Sequence, residues 1–187
     1  EAGDHIVLIG QVKDYTSNRG APLGYFKGNY FTPGLDQPLV SAAIARGRIK
    51  LGGIFSENSN ILLCVDNKGN LSLPLAPEDA PNIGALSTKL KHLGLEVYLD
   101  FLYSVYNDSE TDTTGIFYHG NVKGPSPAGY AYFSITDMPL DKVRDKSERS
   151  ALGRYANEYR HGSFGIYHGN EISGTVQKVF QSKPSKF

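Results

Sequence analysis

The 187-residue sequence contains no tryptophan, one methionine and one cysteine, and its 19 Lys+Arg are matched by 19 Asp+Glu. A lone Cys64 excludes an intrachain disulfide and a four-cysteine zinc site. Inside the apolar run Ile61-Leu-Leu-Cys-Val65 it reads as a small core hydrophobe in a reducing compartment, so the expected localisation is cytoplasmic. Balanced charge argues against nucleic acid or an anionic membrane as partner, because both are normally met by a basic excess. No run approaches the ~20 apolar residues of a membrane span. Also missing are a glycine-rich dinucleotide turn, a phosphate loop, a His-Glu-x-x-His helix and a Gly-x-Ser-x-Gly elbow.

What is present is aromatic and strand-forming, with 12 Tyr and 9 Phe. Alternation and turn residues predict strands over residues 5–15, 23–26, 49–55, 61–66, 71–73, 95–105, 114–122, 128–135, 165–167 and 175–180. Helical spacing predicts a short helix over 38–46 and a second over 82–93, where Ile83, Leu86, Leu90 and Leu93 run into Gly94. A third helix starts near Asp145 with Glu148 as its capping-box partner, buries Leu152, Tyr155, Ala156 and Tyr159, and closes at Gly162. Gly28, Asn29, Pro33, Gly34 and Pro38 mark a linker, and the polar tail over 182–187 is expected to be mobile. The first residue is Glu1 rather than Met, so a fragment or a processed chain is expected.

The order Gly52-Gly53-Ile54-Phe55, Ile61-Leu-Leu-Cys-Val-Asp66, Leu71-Ser-Leu-Pro74, then a helix ending in Gly94-Leu95, resembles the Nudix hydrolases. The resemblance implies an α+β fold, a mixed β-sheet sandwiched by helices, over residues 49–181. In that family an Arg-Glu-x-x-Glu-Glu run on the helix holds the Mg²⁺ that polarises a nucleoside diphosphate bond. Counting back from Gly94, those positions fall on Ser87, Thr88, Lys91 and His92, the Gly-Gly of the preceding turn reads Leu75-Ala76, and no carboxylate stands between Asp79 and Glu96. A divalent cation needs hard anionic oxygens, which Lys89, Lys91 and His92 do not supply. Nudix hydrolysis and a metal site are therefore expected to be absent.

Residues 1–30 resemble the end of a flavin reductase domain of the FMN-binding split-barrel type, through Gly3-Asp4-His5, the Gly10-Gln-Val12 strand and Pro22-Leu-Gly-Tyr25. That resemblance implies that residues 1–31 are a two-strand remnant of such a barrel, joined through a linker and short helix over 32–48 to the Nudix-like part. It also implies FMN or FAD and NAD(P)H as cofactors of the parent protein, with Asp4 and His5 near the flavin–nicotinamide pocket; the alternative is that Asp4-His5 simply opens a strand. Two unpaired apolar strands are an aggregation hazard. They are expected to meet the missing barrel, a second chain in a homo-oligomer such as a dimer, or the Nudix-like face.

Tyr118-His119 and Tyr167-His168 each precede Gly and either line a pocket, stacking on a base or an isoalloxazine ring, or pack as ordinary sheet-end aromatics. Arg46-Gly-Arg48-Ile-Lys50 reads as a solvated basic linker or a diphosphate contact. Glu148, Glu158 and Glu171 read as surface or helix-pairing groups, or as relocated metal ligands. The functional expectation is a non-hydrolytic Nudix-like accessory domain of a flavin reductase-type oxidoreductase, binding a nucleotide-containing small molecule or a partner domain. The alternatives are a divergent pyrophosphohydrolase and a structural dimerisation module.

Overall fold

A computed structural model describes residues 13–14, 24–26, 29–31, 47–170 and 172–181. The chain divides into two units, Glu1–Pro33 and Gly34–Phe187. In the first, β1 (Gly24–Phe26) pairs antiparallel with β2 (Asn29–Phe31) in the register Tyr25 to Tyr30. Asn29 thus opens a strand rather than the expected linker, and Lys13 and Asp14 have no strand assignment. Asp4, His5, the helix expected over 38–46 and the tail over 182–187 lie outside the described residues.

The second unit is built on a mixed sheet. Its strands are β3 (Arg48–Glu57), β4 (Asn60–Val65), β5 (Leu71–Ser72), β6 (Glu96–Asp108), β7 (Thr113–Lys123), β8 (Tyr130–Ser134), β9 (Ser163–Gly169) and β10 (Gly174–Gln181). They lie in the order β10-β9-β6-β7-β3-β4-β5, with β8 also on β4; β3 runs parallel to β7, and β6 to β9.

Helix α1 (Ile83–His92) and helix α2 (Lys146–His161) each pack into a different apolar cluster. Alternation along the strands sorts the core. Phe55, Leu62, Leu102, Val105 and Ile116 pack with Leu86 and Leu90 of α1. Ile54, Ile61, Leu63, Tyr103 and Phe117 pack with Leu152, Tyr155 and Ala156 of α2. Both helices are capped by short polar side chains: Asn82 Oδ1 accepts from Ala85 N (2.9 Å) and Asp145 Oδ1 from Glu148 N (3.0 Å). Gly162 closes α2 in the left-handed region (φ 61°).

The capping-box expectation is half right. Glu148 does not reach back to Asp145; it is 2 % exposed, and its Oε2 accepts from Leu73 N at 2.7 Å while its Oε1 lies 3.2 Å from Lys50 Nζ. Lys50 also pairs with Asp145 Oδ2. Arg48 and Lys50 thus belong to β3 rather than to a solvated linker, and Lys50 is the counter-ion of a buried acid.

Gly52 has a packing reason. The turn carrying Pro74 and Leu75 docks on β3 through Gly53 N to Pro74 O (3.0 Å) and Ala76 N to Leu51 O (2.8 Å). A Cβ on Gly52 would lie 2.7 Å from Leu75 Cδ2 and 3.1 Å from Pro74 O. Gly52→Ala is therefore expected to lose about 1–3 kcal/mol in chemical denaturation, and an unchanged midpoint would show that the turn yields freely.

Strand β6 is irregular at two points. Its register to β7 passes from Leu99–Gly120 to Phe101–His119, and from Leu102–Tyr118 to Ser104–Phe117, so Asp100 and Tyr103 are each the extra residue of a bulge. After the second bulge the phase has shifted by one. Tyr103 packs with α2, and Ser104 pairs directly with Phe117, which packs on α2 as well.

Candidate functional site

The box-position residues sit on α1 with little to hold a cation. Thr88, Lys91 and His92 are exposed and Ser87 is half-buried, while Leu86 and Leu90 carry the packing. Lys89 Nζ donates to Leu75 O at 2.9 Å, which fixes a positive charge between helix and turn. Each unit charge at 4 Å opposes a second cation by about 1 kcal/mol per charge even in bulk water. Among the described residues no group of three or more His, Cys, Asp or Glu side chains is arranged to hold a metal ion. Cys64 is half-buried, its thiol directed to Leu73 O at 3.7 Å, and burial pushes its pKa up.

The first bulge builds a polar chain on the α2 face. Asp100 Oδ2 accepts from Asn121 Nδ2 (2.9 Å) and lies 3.0 Å from His119 Nδ1, without the alignment of a hydrogen bond. His119 Nε2 meets the Tyr155 hydroxyl at 3.2 Å, and that hydroxyl donates to Ser56 Oγ at 3.3 Å. Phe101 stacks on His119 at 5.0 Å between ring centroids. Burial pushes the Tyr155 pKa up to about 12. With its hydroxyl kept protonated, Tyr155 serves this chain as a hydrogen-bond link rather than as an anion.

The second bulge builds a cleft of about 390 Å³ between α2, β6, β9 and the turn into β10. Tyr103, the extra residue, faces no β7 residue in the ladder, and its carbonyl accepts instead from Arg154 of α2 (2.8 Å). Arg154 also donates to Glu158 Oε1 (2.7 Å) and Gly165 O (2.9 Å), and its guanidinium carbon lies 3.7 Å from the Tyr103 ring centroid. Because β6 and β9 run parallel in this register, Ser104 sits beside Tyr167, and both line the cleft with Tyr106 and Arg154. Ser104 is 2 % exposed, and its Oγ has no hydrogen-bond partner among the described residues.

The two Tyr-His pairs do not form one pocket. Successive strand residues point to opposite faces. Tyr118 is buried among the α1-side residues, whereas His119 contacts Tyr155 of α2. Tyr167 lines the cleft near Arg154; His168 is half-buried and follows it on the other face. Of the four, only Tyr167 belongs to the cleft. Glu158 is the helix-pairing group anticipated, and Glu171 lies outside the described residues. Sequence reading missed Ser104, Tyr106 and Arg154. The available signal was an Arg with Glu four residues on, set within the apolar stripe of α2.

No family model matches the sequence. A solved Nudix hydrolase from Nitrosomonas europaea superposes with a TM-score of 0.57 at 16% identity, over 83% of this chain and 97% of its own. The fold is that of the Nudix hydrolases. In sequence, the chain is 34% identical over 181 residues to a protein of Rhizobium meliloti named "Probable flavin reductase". It is 30% identical over 181 residues to the reductase component of a flavin-dependent trigonelline monooxygenase from Acinetobacter baylyi. Each alignment covers 96% of this chain and 57% of the relative, so the chain spans little more than half the length of these proteins. Among the described residues no helix is long and apolar enough to cross a membrane.

The cleft is near the lower end of small-molecule pocket volumes. Asp4 and His5 lie outside the described residues.

Proposed function

We propose that this chain is the non-hydrolytic, ligand-binding Nudix-fold part of a flavin reductase-type oxidoreductase that uses FMN or FAD with NAD(P)H. The observation that carries the reading is a combination. A relative named as a probable flavin reductase and one named as the reductase component of a flavin-dependent monooxygenase each align over 96% of the chain, while α1 presents Thr88, Lys91 and His92 where hydrolysis needs carboxylates and Ser87 in place of the arginine. A reductase that hands reduced flavin to an oxygenase is the specific form the Acinetobacter relative suggests. In this reading residues 1–31, with Asp4 and His5, complete a flavin-binding barrel supplied by the same polypeptide or by a second copy in a homo-oligomer.

The test is the complete reading frame that contains this chain, purified and assayed anaerobically for NADH- and NADPH-dependent bleaching of FMN and FAD. The expected result is flavin reduction with at least one pair, unaffected by chelation of divalent metals. Absence of reduction with all four pairs would overturn the assignment.

A further inference from the structure

We propose that the cleft between α2, β6, β9 and the β9–β10 turn is a binding site for a small, single-ring carboxylate. The inference rests on reading this unit as a ligand-binding part. It is tested by binding alone, so its failure leaves the flavin assignment to its own assay.

The chemistry follows from what lines the cleft. Arg154 has five N–H donors, of which three are spent on Glu158, Gly165 O and Tyr103 O. Those same bonds, with the Tyr103 ring beneath the guanidinium, hold the remaining two donors in place before any ligand arrives. A planar carboxylate is the group that a fixed pair of guanidinium donors recognises best. Glu158 already offsets the charge of Arg154, so a monoanion suits the site better than a phosphate or diphosphate, whose second charge would meet that carboxylate.

The rest of the lining calls for a flat apolar body. The Tyr106 and Tyr167 rings lie 6.4 Å apart at 31°, offering aromatic faces at the β6–β9 wall. Ile172, 87 % exposed on the turn at the rim, gains burial when a ring sits beneath it. Ser104 Oγ supplies a hydroxyl that no other described group engages. A buried hydroxyl left without a partner costs about 1–3 kcal/mol, and a ligand heteroatom recovers part of that. The bulge at Tyr103 is the device that makes the site, since without the phase shift Ser104 would face away from α2.

Titration calorimetry of the 187-residue chain with benzoate, nicotinate and N-methylnicotinate, against nicotinamide and ADP-ribose, tests the proposal. The carboxylates are expected to bind with Kd at or below about 1 mM, and nicotinamide and ADP-ribose at least about tenfold more weakly. Ser150 is exposed on α2 at the edge of the cleft, so Ser150→Trp fills the opening without touching the core; it is expected to weaken carboxylate binding at least about tenfold while the circular dichroism melt is retained. Binding of N-methylnicotinate alone supports a carboxylate whose cation rests on the tyrosine faces. No heat from any carboxylate at about 10 mM, equal affinity for nicotinamide, or undiminished binding by Ser150→Trp would each overturn it.

Discussion

Replacing Lys50 by methionine is expected to destabilise the fold by up to about 3 kcal/mol at pH 7, and by much less at pH 5. Glu148 is 2 % exposed, and Lys50 is the cation beside it. Removing one partner of a buried ion pair costs more than the pair contributes, because the survivor keeps its desolvation penalty. The loss is capped, because Glu148 can escape by taking a proton. From an ordinary value of 4.5 that costs about 3 kcal/mol at pH 7 and under about 1 kcal/mol at pH 5.

The wild-type pH dependence has two opposed parts. Burial raises Glu148 more than Lys50 and the Leu73 amide lower it. The stability held by its protonated form is therefore full below the unfolded value and is lost as pH rises through the folded one. For Asp145, burial pushes upward, but the Lys50 ammonium, the Ser147 hydroxyl and the Glu148 amide together bring the pKa below 3.8. Its contribution is present above that value and is lost as pH falls through the folded pKa. Lys50→Met removes the main support of both, so urea midpoints measured from pH 5 to pH 8 should diverge progressively from wild type. Parallel curves would show that Glu148 is not carrying an unpaired charge in the variant.

Arg154→Met is expected to cost a further large amount, about 3–5 kcal/mol. The substitution leaves the Tyr103 and Gly165 carbonyls without their donor and strands Glu158, whose side chain is 13% exposed. The adjoining Glu158→Gln change should restore part of the loss, since it removes the stranded charge while Tyr103 keeps a hydrogen-bond partner. A double-mutant cycle in urea measures this directly, and additivity of the two single losses would show that the pair does not act as a unit.

How much of this could be read beforehand depended on whether a local pattern was intact. Ile83, Leu86 and Leu90 keep helical spacing and end at a glycine, so α1 was legible nearly to its boundaries; Asp145 and Gly162 frame α2 just as clearly. The Gly52-Gly53 and Leu73-Pro74 elements located the turn that docks on β3, and the Nudix fold inferred from their order is the one found.

β6 was legible only as a strand. Its two bulges shift alternation at Asp100 and Tyr103, so period-2 reasoning could not say that Ser104 and Tyr106 turn toward α2 or that Asp100 reaches His119. Glu148 misled for a related reason. Its spacing from Asp145 suits a capping box, but the partner that claims it is the backbone of Leu73, 75 positions away in sequence. The Tyr-His repeats do not form one pocket because they lie in regular stretches of β7 and β9, where no bulge interrupts alternation and adjacent residues point to opposite faces.

The most direct test concerns α1. ADP-ribose incubated with this chain and Mg²⁺ or Mn²⁺, followed by chromatography for AMP, is predicted to show no product above the rate without protein. The helix offers hydroxyls, an imidazole and ammonium groups, one of them bonded to the turn at Leu75 O. Metal-dependent AMP release that stops on chelation and resists exchange of Lys89 for methionine would contradict the prediction, placing a working cation site on a helix without the acids to hold one.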